Sequence, residues 1–257
     1  MGLGAVKLAA LEEYVRAVMA LLREETIETE IEGQSRLIRL LNPELGLINT
    51  KDPIGLYVAA GGPRARKLTA RLGAGWINAT VDVASAIAAL EQMRAEWTGA
   101  GHDRDALQAV ALTGGVVLAE DEAADSPRAI AQAGPRAAML LHRAADMALM
   151  GLPAMASFPP AVADAVAGYV ALARQFRPQG AAYLENHRGH LMFVKPDERP
   201  FVTAELIRLT TFAANERELK ERFARLADAG YDEVAIQILP GQEHAIEDWG
   251  RIRRAFA

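Results

Sequence analysis

The chain has 257 residues, 51% hydrophobic and 24% charged, the profile of a folded globular protein rather than a disordered or fibrous one. A formal net charge of -5 argues against a protein that grips a phosphodiester backbone, so nucleic acid is not an expected partner. Cysteine is absent, which removes disulfides, thiolate metal sites and thiol nucleophiles and leaves the chemistry to other side chains or a cofactor.

The apolar stretch after Met1 is broken at Glu12 and Glu13 before a signal-peptide core could form, and the cytoplasm is the expected location. From Leu8 to Leu22 the apolar residues Leu8, Leu11, Val15, Val18, Leu21 and Leu22 recur at spacings of three and four, which predicts an amphipathic helix. Glu24 to Leu47 has no sustained period and reads as a hairpin or irregular excursion. Ile54 to Ala60 is a short apolar run of the kind found in a strand buried on both faces. A helix over Pro63 to Leu72 then leads to a strand at Gly75 to Asn78, and a helix over Val81 to Thr98 leads to a strand at Gln108 to Leu118. That alternation predicts a parallel sheet with right-handed crossovers.

Residues 120 to 205 break the rhythm and read as a helical insertion, with Leu191 to Val194 its one candidate strand. Its longest apolar window, Ala144 to Pro160, is interrupted by Asp146, Gly151 and Pro153 and falls short of the ~20 residues a bilayer needs, so no membrane segment is expected. Beyond it, Asn215 suits the N-cap of a helix that ends at Gly230, and Glu233 to Leu239 reads as a final strand. Four strands in a single domain over 1 to 257 leave sheet edges and an inner face uncovered, so a homo-oligomer or a poorly soluble chain is expected.

The segment with most chemical content is Tyr57-Val58-Ala59-Ala60-Gly61-Gly62-Pro63-Arg64, a strand running through two glycines into a helix. Gly61 and Gly62 allow a sharp turn and close approach of a ligand to the backbone, and Pro63 suits the first helical position. The unpaired N–H groups and positive dipole end make an anion site to which Arg64 adds charge. Taken alone, a Gly-Gly-Pro between strand and helix is more often plain turn chemistry.

Val58 to Arg64, continuing through Leu72-Gly73-Ala74-Gly75-Trp76-Ile77, resembles the fifth and sixth barrel strands of the bacterial-luciferase-like oxidoreductases. The helix from Leu11 to Arg23 is similar to that family's fourth helix. Ile207 to Phe212, the helix containing Leu219 to Ala229, Gly230 to Glu233 and His244 to Trp249 resemble its closing strand and helices. The likeness is nearest to the branch of flavin monooxygenases and methylenetetrahydromethanopterin-reductase-like proteins. It implies an α/β fold, the C-terminal portion of a TIM barrel, with about four of eight strands and an N-terminal truncation. It also implies FMN, or alternatively the deazaflavin coenzyme F420, with Ala60, Gly61, Gly62 and Arg64 at the cofactor phosphate and Val58 and Ala59 near the ring. The catalytic residues would belong to strands upstream of this sequence and are unknown.

Glu185-Asn186-His187-Arg188-Gly189-His190 is the densest polar cluster. Two histidines three apart suit a metal or a proton donor, whereas the plainer reading is a polar loop. The resemblance puts this stretch near the substrate, so His187 and His190 are candidates for substrate contact, and no metal is expected. His142 reads as a half-buried helix residue rather than a ligand. No hydrolase elbow, Walker loop or Rossmann fingerprint is present. The expectation is a flavin-dependent monooxygenase acting on a small organic molecule with reduced FMN and oxygen. The alternatives are a deazaflavin-dependent hydride-transfer enzyme and an inactive fragment.

Overall fold

The computed structural model describes residues 6–52, 54–153 and 158–256. The chain forms two compact units, one of Gly2–Trp76 and Met93–Gln108, the other of Ile77–Gln92 and Ala109–Ala257.

In the first of these, helix α1 spans Leu8–Leu22 as its periodicity predicts, with Val15 and Ala20 buried. The excursion after it is an antiparallel hairpin of β1 (Ile27–Ile31) and β2 (Gln34–Ile38). Its two-residue turn, Glu32 and Gly33, has φ of 53° and 74°, the left-handed pair that matches the twist of the flanking strands. Strand β3 covers only Tyr57–Ala59, shorter than the apolar run predicts, because Ile54 is exposed. Helix α2 (Pro63–Leu72) follows, with Gly62 at its N-cap, proline in its first turn and Gly73 closing it at φ 60°.

Strand β4 (Gly75–Ala79) begins in this unit. The Gly75 N–H donates to the Leu56 carbonyl at 2.9 Å and the Trp76 N–H to the Gln108 carbonyl at 2.8 Å. A Cβ at Gly75 would lie 2.4 Å from the Tyr57 ring, so glycine is what lets that aromatic lie flat on the strand.

In the larger unit the expected strand over Gln108 to Leu118 is two strands, β5 (Ala109–Thr113) and β6 (Gly115–Leu118). They follow helix α3 (Val83–Gly99). The two strands choose different partners. β6 pairs in parallel with β7 (Phe212–Asn215), Gly115 opposite Phe212, whereas β5 pairs in parallel with β8 (Glu233–Ile236), Val110 opposite Glu233. Strand β7 was hidden in the sequence behind Ile207 to Thr210, which form part of helix α7 (Ala204–Thr210) rather than a closing strand. Ile207 and Leu206 are fully buried, and burial of a short β-branched run does not distinguish helix from strand.

Between β6 and β7 the α-helices are α4 (Pro127–Leu149), α5 (Pro160–Ala173), the short α6 (Ala182–Asn186) and α7, and no strand lies among the described residues there. Ser126 caps α4 by accepting the Ala129 N–H at 3.0 Å. Ile130, Ala137 and Leu141 of α4 pack with Tyr169 of α5 and Leu206 of α7 in one apolar cluster. Leu191 to Val194 is not a strand; Leu191 has φ of 59°, incompatible with extended backbone. Helix α8 (Glu216–Ala229) starts at Asn215, whose side chain accepts the Glu218 N–H, and stops at Gly230 with φ of 99°. Helix α9 (Ala245–Arg253) ends the described fold with a short 3-10 turn. No helix among the described residues is long and apolar enough to cross a membrane.

Candidate functional site

The glycine loop follows β3 directly. Neither Gly61 nor Gly62 has a positive φ, so the sharp turn expected of them is made with extended backbone, Gly62 lying at φ -102° and ψ 160°. What the glycines do supply is room: a Cβ at either position would meet nothing within 4 Å. Gly62 provides no side-chain cap, so the first-turn amides of Arg64 and Ala65 lack an intrahelical acceptor. Buried Arg66 donates to the Gly61 carbonyl at 2.8 Å, and the Trp76 indole donates to the carbonyl of buried Ala60 at 2.9 Å. The loop is therefore held from behind while its glycines and Arg64 face outward, all three exposed. Val58 is half-buried and Ala59 exposed.

The second predicted group gains members the sequence did not connect. His187 and His190 follow α6 in a turn that Gly189 makes at φ 77°, and they meet His142, which projects from α4. The Nδ1 atoms of His142 and His190 lie 2.8 Å apart and those of His187 and His190 3.3 Å apart. On the outer side of two rings stands a carboxylate: His142 Nε2 is 2.5 Å from Glu198, and His187 Nε2 is 2.8 Å from Asp146, one helical turn beyond His142. His142 and Glu198 are buried, whereas the His187 side chain is 38% exposed, so the cluster opens to solvent on one side.

The floor beneath the cluster is buried and hydrogen-bonded. Fully buried Asn186 donates to the His142 carbonyl and to Asp146 and accepts from the Tyr169 hydroxyl. Lys195, also fully buried, donates to the Glu185 carbonyl at 2.7 Å. Burial alone would raise the Glu198 carboxyl, yet the hydrogen bond and charge of His142, the Lys195 amide and the Lys195 charge together hold it below its ordinary value. Burial, followed by the neighbouring imidazoles, depresses His190. His142 and Glu198 stand 48 and 8 residues from His190 in sequence, and only the packing of α4 on the later turn brings them together.

A third feature lies at the C-terminal ends of β6 and β7. Leu118, Asn215, Arg128, Lys220, Asp248 and Arg251 are among the residues lining a cleft there. Arg128 pairs with Glu122 and Asp248, Arg251 with Asp248 and Glu216, and Lys220 with Glu216. Every cation in this chain of charges already has a carboxylate. Arg64 differs, having no ion pair among the described residues.

A family model for luciferase-like monooxygenases matches residues 5–236. No curated protein matches the chain. Among solved structures, the coenzyme F420 dependent tetrahydromethanopterin reductase from Methanopyrus kandleri is similar with a TM-score of 0.56 and 18% identity over 94% of this chain and 61% of that one. An F420-dependent secondary alcohol dehydrogenase, solved with an F420-acetone adduct, is similar with a TM-score of 0.52 and 12% identity over 97% of this chain and 63% of the other. A riboflavin lyase solved with modified FMN and riboflavin gives 0.53 and 14% over 98% and 60%. The chain thus spans about three fifths of the length of each of these proteins, and at such identities the likeness is one of fold.

Proposed function

Because the chain belongs to the luciferase-like monooxygenase family, we propose that it serves a flavin-dependent oxidoreductase that uses reduced FMN and molecular oxygen on a small organic substrate. The observation carrying this reading is the family match itself, which runs through the glycine loop, the histidine cluster and β8. When bound, the flavin would supply the electrons; the protein's part is to hold and orient it.

The residues present fit a phosphate-bearing cofactor. The space in front of Gly61 and Gly62, the unpaired first-turn amides of α2 and the uncommitted guanidinium of Arg64 suit an anion at a helix N-terminus. In this reading Val58 and Ala59 lie toward the ring, and the loop of Ala60, Gly61, Gly62 and Arg64 takes the phosphate. His187 and His190, on the open side of their cluster, are the proposed substrate contacts.

Titrating the full chain separately with FMN and with F420, followed by the absorbance of each, tests the assignment. Saturable FMN binding, weakened about tenfold in Arg64→Ala by loss of ~1.4 kcal/mol of charge-assisted hydrogen bonding, is expected. Two structural neighbours are F420-dependent enzymes, and this favours a second reading, hydride transfer with a deazaflavin. Saturation by F420 alone would select it, and saturation by neither would remove both.

A further inference from the structure

We propose that His142, His187 and His190 form a binding site for one zinc-class divalent cation, with three imidazole ligands and a fourth position open to solvent. They are the one group of three or more potential ligands among the described residues whose donor atoms converge, all within 4.8 Å of one another. The three ring centroids make a near-equilateral triangle with sides of 5.0, 5.1 and 5.6 Å.

An ionised carboxylate only accepts hydrogen bonds, so Glu198 and Asp146 take the Nε2 protons of His142 and His187 and leave Nδ1 as the atom through which each ring can bind a cation. Both Nδ1 atoms face His190 Nδ1, at 2.8 and 3.3 Å. At such separations two facing ring nitrogens of these three cannot both carry a proton. A cation at their centre satisfies all three at once. With metal–nitrogen bonds of 2.0–2.1 Å, tetrahedral geometry separates imidazole nitrogens by about 3.3 Å; the His187–His190 pair already has that spacing at 3.3 Å, the His142–His190 pair must open from 2.8 Å, and His142 and His187 must meet the same spacing from within 4.8 Å.

The surroundings are those of a metal centre. Carboxylates on the far nitrogen of ligating histidines fix the tautomer and raise ligand basicity. Asp146 is fixed in turn by Asn186, whose amide donates to its other oxygen at 2.7 Å, and the Lys195 N–H donates to the second oxygen of Glu198 at 3.2 Å. All-nitrogen ligation favours zinc-class ions over calcium or magnesium, which prefer oxygen. The partial exposure of His187 leaves one coordination position to water or to an external ligand. None of this depends on the flavin reading.

The test uses untagged full chain, stripped with a chelator and titrated with Co²⁺ and then Zn²⁺. One equivalent of Co²⁺ should develop the visible absorption of a tetrahedral nitrogen site, bleached by Zn²⁺ added afterwards. His187→Ala and His190→Ala, both on the solvent side, should each abolish the spectrum while the far-ultraviolet circular dichroism persists. Asp146→Asn should weaken binding about 10–100-fold, as loss of an outer carboxylate does. His102→Ala and His244→Ala, outside the cluster, should bind normally. Absence of a saturable Co²⁺ spectrum and of Zn²⁺ binding in the parent chain would overturn the proposal, as would undiminished binding in both His187→Ala and His190→Ala.

Discussion

Gly115 faces the backbone of Phe212 on the neighbouring strand. A Cβ placed there would lie 2.2 Å from the Phe212 carbonyl oxygen, and no rotamer change relieves a clash with main chain. Gly115→Ala should therefore cost about 3 kcal/mol or more, read as a lowered urea midpoint or as loss of soluble protein. Lys195 is the opposite case, a charge with no exposure at all whose ammonium donates to the Glu185 carbonyl and the Tyr169 hydroxyl and lies 5.0 Å from the centre of the Phe176 ring. Lys195→Met keeps most of the volume but strips these acceptors of their donor. About 3 kcal/mol should be lost in denaturant unfolding, and an unchanged midpoint would mean that the ammonium is dispensable. The sequence made His187 and His190 visible because they are three apart in a polar run. It left His142 as an ordinary helix residue and gave Glu198 no role, because ligand convergence across 48 residues is a property of packing that no local spacing encodes.

At the scale of elements, the helices were the legible part. α1 and α2 have the predicted bounds, and α8 has the predicted caps, because periodicity, a first-turn proline, an Asn N-cap and C-terminal glycines are local signals. Asn215→Ala tests one of them: losing the acceptor of the Glu218 amide should cost about 1 kcal/mol in thermal or urea unfolding. The strands were less legible. β5 and β6 form one apolar run in sequence, and their division depends on which distant strand each meets.

The turn between β6 and α4 is held by charge. The Glu122 carboxyl is lowered to about 2, first by its hydrogen bond from Arg128 and then, against a burial penalty, by the Ser126 hydroxyl and the Ala119 amide. A carboxylate depressed on folding stabilises fully above its ordinary value of 4.5 and loses that contribution as the pH falls toward 2. Melting temperatures of the parent should fall across that window, and Glu122→Gln should flatten the fall. An equally steep acid limb in the variant would assign it to other carboxylates.

For the whole molecule, the fold class was readable because strand and helix alternate and because the likeness to one family extends along most of the chain. The surface was less so, since an apolar residue near a helix end reads the same whether covered or bare. Within the larger unit, Phe223, Tyr231, Val234, Ile236, Ile246 and Trp249 line an apolar cleft framed by α8, β8 and α9, where Ile246 is 60% exposed and Phe256 47%. Contiguous apolar surface of this kind marks an association face more often than a solvated one. Sedimentation velocity across a range of protein concentrations should therefore show self-association of the chain. Ile246→Lys places a charge at the rim without touching the buried core and should shift the population toward monomer while leaving the melting temperature nearly unchanged. If the parent sediments as a monomer throughout, or if Ile246→Lys leaves the association intact, this cleft is not the face through which copies meet.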